Sequence, residues 1–256
     1  MSKITALIPT YNNESELSEL LLSLRWVDTI LIVDSFSSDD TVSIAENLGA
    51  KVVKNRYLNQ AEQSNFALQF VTTEWVLQLD TDELLEEGAE KEILDSIANC
   101  PLQVDCFRFR RKNHMLGKWI RYGGIYPDWE NRLFRANKGK WFDREVHSNI
   151  RVPGEYRFLK SHIIHNGMPN ISKQVKNLDR YTRYEADELK KKGKKFSYIK
   201  WLVFPLLVFI HKYLWLQGFR DGWRGFFLAR YAAYYYFLSH SKFKEMEIMI
   251  LDKSPK

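Results

Sequence analysis

The chain has 256 residues, 45% of them apolar and 27% charged, which excludes a disordered or fibrous protein and fits one large domain, or a domain with an appended piece. Its net charge of +6 conceals an asymmetry, because residues 1–100 carry 6 Lys/Arg against 18 Asp/Glu and the remainder carry 32 against 14. The second part is therefore built to face something anionic. Two cysteines, Cys100 and Cys106, are too few for a zinc cluster or a disulfide framework. No basic stretch followed by an apolar one marks a signal peptide, so a reduced, cytoplasmic setting is expected.

Residues 3–9 form an apolar run closed by Pro9 and read as a buried strand. Leu17, Leu20, Leu21 and Leu24 recur at helical spacing and predict a helix over 14–25. A second strand follows at 29–34, then a helix from about Thr41 to Gly49, a third strand at 51–54, a helix over 60–71 and a fourth strand at 74–79. Strand and helix alternate with short links, so the first hundred residues read as a doubly wound, mostly parallel α/β sheet. Beyond residue 100, strands are expected at 103–110 and 132–135, separated by a Gly-, Trp- and Tyr-rich substrate loop at 117–129. A polar helix over 173–195 precedes the apolar run 201–210 and an aromatic-rich stretch, with 17 of the 37 aromatic residues between Phe196 and Phe243.

Ligands of such a sheet bind at the carboxyl ends of its strands, where this chain has Pro9-Thr-Tyr-Asn12, Asp34-Ser35 and Asp80-Thr-Asp82. Neither a Gly-x-Gly-x-x-Gly fingerprint nor a P-loop is present, so a nucleotide bound here needs a metal to offset its charge. Asp80 and Asp82 point the same way if the segment is extended, as two ligands of a hard divalent cation would. The alternative is that Asp82 caps a helix running through Leu84 and Leu85, with Glu83 complementing its dipole.

Together, Ile8-Pro-Thr-Tyr-Asn12, Val33-Asp-Ser-Phe-Ser-Ser-Asp-Asp-Thr41 and Leu79-Asp-Thr-Asp-Glu83 resemble family 2 glycosyltransferases, inverting enzymes of the GT-A fold that use nucleotide sugars. Tyr126-Pro-Asp-Trp-Glu-Asn-Arg-Leu-Phe-Arg135 and Arg144-Glu-Val-His147 resemble the lipopolysaccharide-core glucosyltransferase branch, although Ser148 stands where that branch usually has Glu. The resemblance implies a UDP-sugar donor and a divalent cofactor, Mn²⁺ or Mg²⁺. Pro9, Thr10, Tyr11 and Glu14 would line the base pocket, Asp34 would bond the uracil or ribose, and Gln63 and Asn65 would help close the site. Asp80 would face ribose and metal, and Asp82 would be the main metal ligand. Plainer roles stand beside these, with Asp34 as a turn residue and Gln63 and Asn65 on a solvated helix face. An inverting transfer needs a carboxylate base from another loop, and Asp128 and Glu130 are the candidates, with Asp128 matching the branch better. Glu130 has the alternative of an ion pair with Arg132 or a neighbour. His147, and less strongly His165, are further metal-ligand candidates, each with a structural role as its alternative.

The resulting division is a GT-A catalytic domain over 1–172, with a nucleotide-binding half to residue 100 and an acceptor half after it, followed by a basic, aromatic, amphipathic helical extension over 173–256. The run 201–210 is too short to span a bilayer, which takes about 20 apolar residues. Aromatic residues interleaved with Arg220, Arg224, Arg230, Lys242 and Lys244 suit an anionic membrane surface, and hence a peripheral enzyme on the cytoplasmic face of the inner membrane with a lipid-linked glycan acceptor. Packing onto the catalytic domain or a second copy is the alternative for these aromatics. A nucleic-acid partner is not expected, because long aliphatic runs interrupt the basic residues.

Overall fold

The first apolar run becomes β1 (Ile4–Thr10), and its alternation decides where each side chain goes. Ile4, Ala6 and Ile8 enter one buried cluster, while Leu7 enters another on the opposite face. The strand reads as continuously apolar because helices cover both faces of the sheet. Leu17, Leu20 and Leu21 of α1 (Glu14–Ser23) pack on the first face with Ala45 of α2 (Thr41–Asn47). Between them runs β2 (Thr29–Asp34), and β3 (Lys51–Lys54) follows α2. Ala61 and Ala67 of α3 (Gln60–Leu68) cover the other face, and β4 (Trp75–Gln78) completes the parallel set in the order β3-β2-β1-β4. These helices and strands match the sequence pattern to within three residues at their ends.

The computed structural model describes residues 3–142 and 150–251. After β4, the segment predicted to begin a helix is instead the short strand β5 (Glu83–Leu85), and α4 starts only at Ala89, behind Gly88 in the left-handed region (φ 82°), ending at Ala98. The sheet then continues through β6 (Val104–Met115), β8 (Asp128–Arg135) and β11 (Glu155–Met168) in the order β4-β8-β6-β11-β5. β8 runs antiparallel to both β4 and β6, and β5 runs antiparallel to β11. β7 (Lys118–Trp119) lies between β6 and β8 in the chain, and β9 (Lys140–Trp141) and β10 (Ile150–Arg151) form a separate two-stranded ribbon. Strands β6 and β8 are longer than the apolar pattern predicts, and Trp129 stands on β8 rather than in a loop. The reason is ionic: Arg111 and Lys112 of β6 break the alternation of apolar residues but are paired with Glu83 and Glu86.

Contacts divide the chain into two compact units, one of Met1–Lys112 with Asp128–Gly167 and one of Asn113–Pro127 with Met168–Lys256. Within the second, β7 folds back on the end of β6 through Leu116 (φ 49°) and Gly117 (φ 73°), the two positive angles of a tight hairpin turn. Its helices are α5 (Ile171–Lys191), α6 (Tyr198–Ile210) and α7 (Trp223–Leu251). A π-helical turn at His211–Trp215 and a 3₁₀ turn at Gly218–Asp221 lead from α6 to α7. Buried Asp221 accepts hydrogen bonds from the backbone of Arg121 (3.0 Å) and Tyr122 (2.8 Å), so the glycine-rich segment expected as a free substrate loop is clamped to the C-terminal helices. A Cβ on Gly225 would lie 1.8 Å from the Gly218 carbonyl oxygen, so only glycine permits that turn to close.

Glu86 shows how the first unit spends its charges. Burial works against its carboxylate, yet hydrogen bonds from Lys112 and from His162 Nδ1 (2.8 Å) hold its pKa down at about 2. A carboxyl depressed on folding stabilises the protein above its ordinary value near 4.5 and loses that contribution as pH falls toward 2. Denaturant midpoints measured between pH 4.5 and 2 are therefore expected to fall more steeply for the native protein than for Glu86→Gln. Parallel curves would remove Glu86 from the acid response.

Candidate active site

The strand order sets β1 between β2 and β4, so the three polar strand ends meet at one edge of the sheet. Thr10 and Asp34 are register partners, and Thr10 Oγ1 donates to Asp34 Oδ1 at 3.0 Å. Asp34 is wholly buried, and its carboxylate also accepts from the Ser37 amide (2.8 Å) and the Ser37 hydroxyl. It is the turn former that its serine-rich surroundings predicted. The two following loops interlock through their backbones. Asn12 (φ 53°) donates its amide to Ser37 Oγ and accepts the Ser38 amide on its side chain, both at 2.9 Å, while Glu14 Oε2 accepts the Asp40 amide at the start of α2 (3.1 Å). Pro9 is the one half-buried residue of β1, before buried Thr10, and Tyr11 and Phe36 project from the two loops with about 60% of their surfaces exposed.

Gln63 and Asn65 are bound to protein rather than lying on a solvated face. Buried Gln63 donates to Ser35 Oγ (3.0 Å) and accepts from the Asn55 side chain (2.9 Å), which fixes the end of β2 against the end of β3. The Asn65 amide both donates to and accepts from the backbone of Trp141, at 2.9 and 3.0 Å, as a strand partner would.

The acidic motif after β4 is the centre of a charged network. Since Glu83 begins a strand, Asp82 caps no helix, and the predicted helix through Leu84 and Leu85 is absent because those residues pair with Ile164 and Ile163 of β11. Glu83 is wholly buried and meets two cations, Arg132 at 2.7 Å and Arg111 at 3.0 Å. Arg132 also meets Asp80 at 2.7 Å, and Asp80 donates its amide to Glu83 Oε2 at 3.1 Å. Asp128 and Glu130 stand on strand β8 rather than on the loop expected to carry the base. Their alternation turns both to Arg111, at 2.8 and 3.1 Å. Glu130 thus has the ion pair foreseen for it, with Arg111 rather than Arg132. Burial pushes the Glu83 carboxyl up against the pull of Arg132 and Arg111. Burial likewise opposes the Arg132 cation, but Asp80, Glu83 and Glu130 together raise its pKa. The sequence reading missed Arg111 and Arg132 as the organisers of the site, although charged residues inside a strand pattern are a signal that buried acids are near.

Asp82 faces His165 of β11. Its Oδ2 lies 3.6 Å from His165 Nε2, both side chains are about a quarter exposed, and its carbonyl accepts the Asn166 amide at 2.9 Å. A Cβ on Gly167 would come within 2.3 Å of the His165 ring, so that glycine leaves room for the imidazole. Carboxylate oxygen and imidazole nitrogen are a donor set that fits Mn²⁺ or Mg²⁺. No cluster of three His, Cys, Asp or Glu side chains able to hold a metal occurs among the described residues. His147 lies outside the described residues.

A parallel sheet whose strand ends gather polar loops beside an ion-paired acidic motif is an α/β architecture with its candidate ligand site at those ends. Residues 5–158 match the model of Glycosyl transferase family 2, and the chain belongs to that family. It is a glycosyltransferase, and its first unit has the GT-A fold. It is 28% identical over 262 residues to an uncharacterized glycosyltransferase of Rickettsia typhi, covering 97% of this chain and 89% of the relative. It is 25% identical over 246 residues to the lipopolysaccharide core biosynthesis glycosyltransferase LpsC of Rhizobium meliloti, covering 93% and 91%. Among solved structures, Staphylococcus aureus TarS 1–349 in complex with UDP-GlcNAc aligns over 52% of this chain with 22% identity and a TM-score of 0.41. This chain spans less than half the length of that structure.

Removing the buried carboxylate should expose how much the site depends on it. Glu83→Ala leaves two arginines without their shared partner and is expected to cost about 3–5 kcal/mol in a denaturant unfolding experiment. A loss below about 1 kcal/mol would mean that Asp80 and Glu130 compensate alone.

Proposed function

We propose that the protein transfers a hexose from a UDP-sugar to a hydroxyl of a lipid-linked or lipopolysaccharide-core glycan, with inversion at the anomeric carbon. The observation that carries this reading is the meeting of the β4 acidic motif with two carboxylates of β8 through shared arginines. In it, the loops after β1 and β2 receive the nucleotide, with Tyr11 stacking on the base, and Asp80 is held toward the ribose by Arg132. Asp82 and His165 would hold a divalent cation, which supplies charge for the departing diphosphate.

Asp128 is the base. Its ion pair with Arg111 holds it aimed, and it accepts the acceptor hydroxyl proton as that oxygen bonds to the anomeric carbon and the sugar–phosphate bond breaks. Glu130 shares Arg111 and holds the cation in position between them. Support for the acceptor class comes from the family and from similarity to LpsC, together with α6, which has no buried residue and suits a protein docked on a membrane.

The test is release of UDP from a panel of UDP-sugars with Mn²⁺, with Mg²⁺ and with EDTA. Metal-dependent release from one sugar is expected, falling at least 100-fold in Asp82→Ala. Transfer to an acceptor is expected to fall about 10²–10⁴-fold in Asp128→Asn, the usual range for a lost general base, and much less in Glu130→Gln. Equal loss in the two β8 variants would reassign the base, and release insensitive to EDTA and to Asp82→Ala would end the metal assignment.

A further inference from the structure

On α6 the residues Ile199, Leu202, Val203, Leu206, Leu207 and Ile210 recur at the spacing of a core-facing helix stripe, yet each is between 42% and 71% exposed. Beside this stripe a groove of about 500 Å³ runs between α5, α6 and α7, lined among others by Pro205, Leu206, Phe209, Phe227, Tyr234 and Phe237. Its size falls in the range of small-molecule sites. One cation enters the lining: Arg230 is exposed, lies 5.8 Å from the Phe209 ring, and has no ion-pair partner among the described residues.

The charge around the groove selects the occupant. Residues 198–238 contain five Lys/Arg and a single acid, Asp221, whose carboxylate is buried on two backbone amides and cannot offset them. Tyr198, Trp215 and Trp223 are more than half exposed, the arrangement of aromatic residues that sit at a lipid–water boundary. An apolar channel with one unpaired guanidinium at its side matches a molecule with a hydrocarbon chain and an anionic phosphate.

We propose that this groove is a binding site for one chain of a phosphate-bearing membrane lipid, with Arg230 on the phosphate and the α6 stripe in the surrounding bilayer. The proposal deepens the membrane reading given above and rests on it for the setting in which lipid is met. The site would seat the protein against the membrane at a defined depth, which adsorption through scattered charges does not do.

Monomeric dihexanoyl phosphatidylglycerol, titrated into the full chain by calorimetry, is the direct probe. Saturable binding of one molecule per chain is expected, with dihexanoyl phosphatidylcholine at least tenfold weaker and glycerol 3-phosphate not bound. Arg230→Gln should abolish the preference between the two lipids, and Leu206→Glu, on an exposed position, should weaken both. Unchanged lipid preference in Arg230→Gln would overturn the proposal. So would glycerol 3-phosphate binding as tightly as the lipid, or a concentration-dependent dimer that takes up no lipid. UDP release measured on the same preparations separates the two readings, since Arg230→Gln is expected to retain it and Asp82→Ala to retain lipid binding.

Discussion

A carboxylate with no exposure to water needs hydrogen bonds or cations to meet it, and at Glu83 two arginines of the first unit do so. The two guanidinium groups come from β6 and β8, so satisfying one acid fastens the short strand β5 to the antiparallel half of the sheet. The arginines have capacity left after Glu83, and they spend it on Asp80, Asp128 and Glu130. The ion pairs that hold β5 to β6 and β8 therefore also orient the carboxylates of the candidate site. Such a site is preorganised, because its charged groups do not have to be gathered when the reaction begins.

The loops at the parallel strand ends are held by a different device. Asn12, Asn13 and Glu14 exchange hydrogen bonds with Ser37, Ser38, Asp40 and Thr41, mostly through backbone amides. The side chains between these anchors, Tyr11 and Phe36, remain exposed and available to a planar ligand. Loops tied down through their backbone amides, with exposed aromatic rings between the ties, lose little ordering entropy when a ligand binds.

The second unit is held by a few buried polar contacts and by aromatic packing. Asp221 and Lys212 secure the segment 121–123 through its backbone amides and the Gly123 carbonyl, and Trp201 donates to Ser241 while stacking on Phe237. These contacts hold α6 and α7 together without burying any residue of α6. No helix among the described residues is long and apolar enough to cross a membrane.

The parallel half of the sheet was legible from sequence because buried strands are short apolar runs and their helices carry a leucine stripe; both signals are local. The polar strand ends were legible for the same reason, as breaks directly after those runs. What the sequence did not disclose were the strands whose buried positions are charged. Arg111 and Lys112 break the apolar pattern of β6, and their partners Glu83 and Glu86 lie more than 20 residues away in the chain. The helix predicted through Leu84 and Leu85 failed for a related reason, since pairing with Ile163 and Ile164 outweighs local propensity. Local periodicity determined which residues are apolar and where the strand ends lie. Only the tertiary structure decided which acids meet which arginines, because those partners come from strands far apart in the chain.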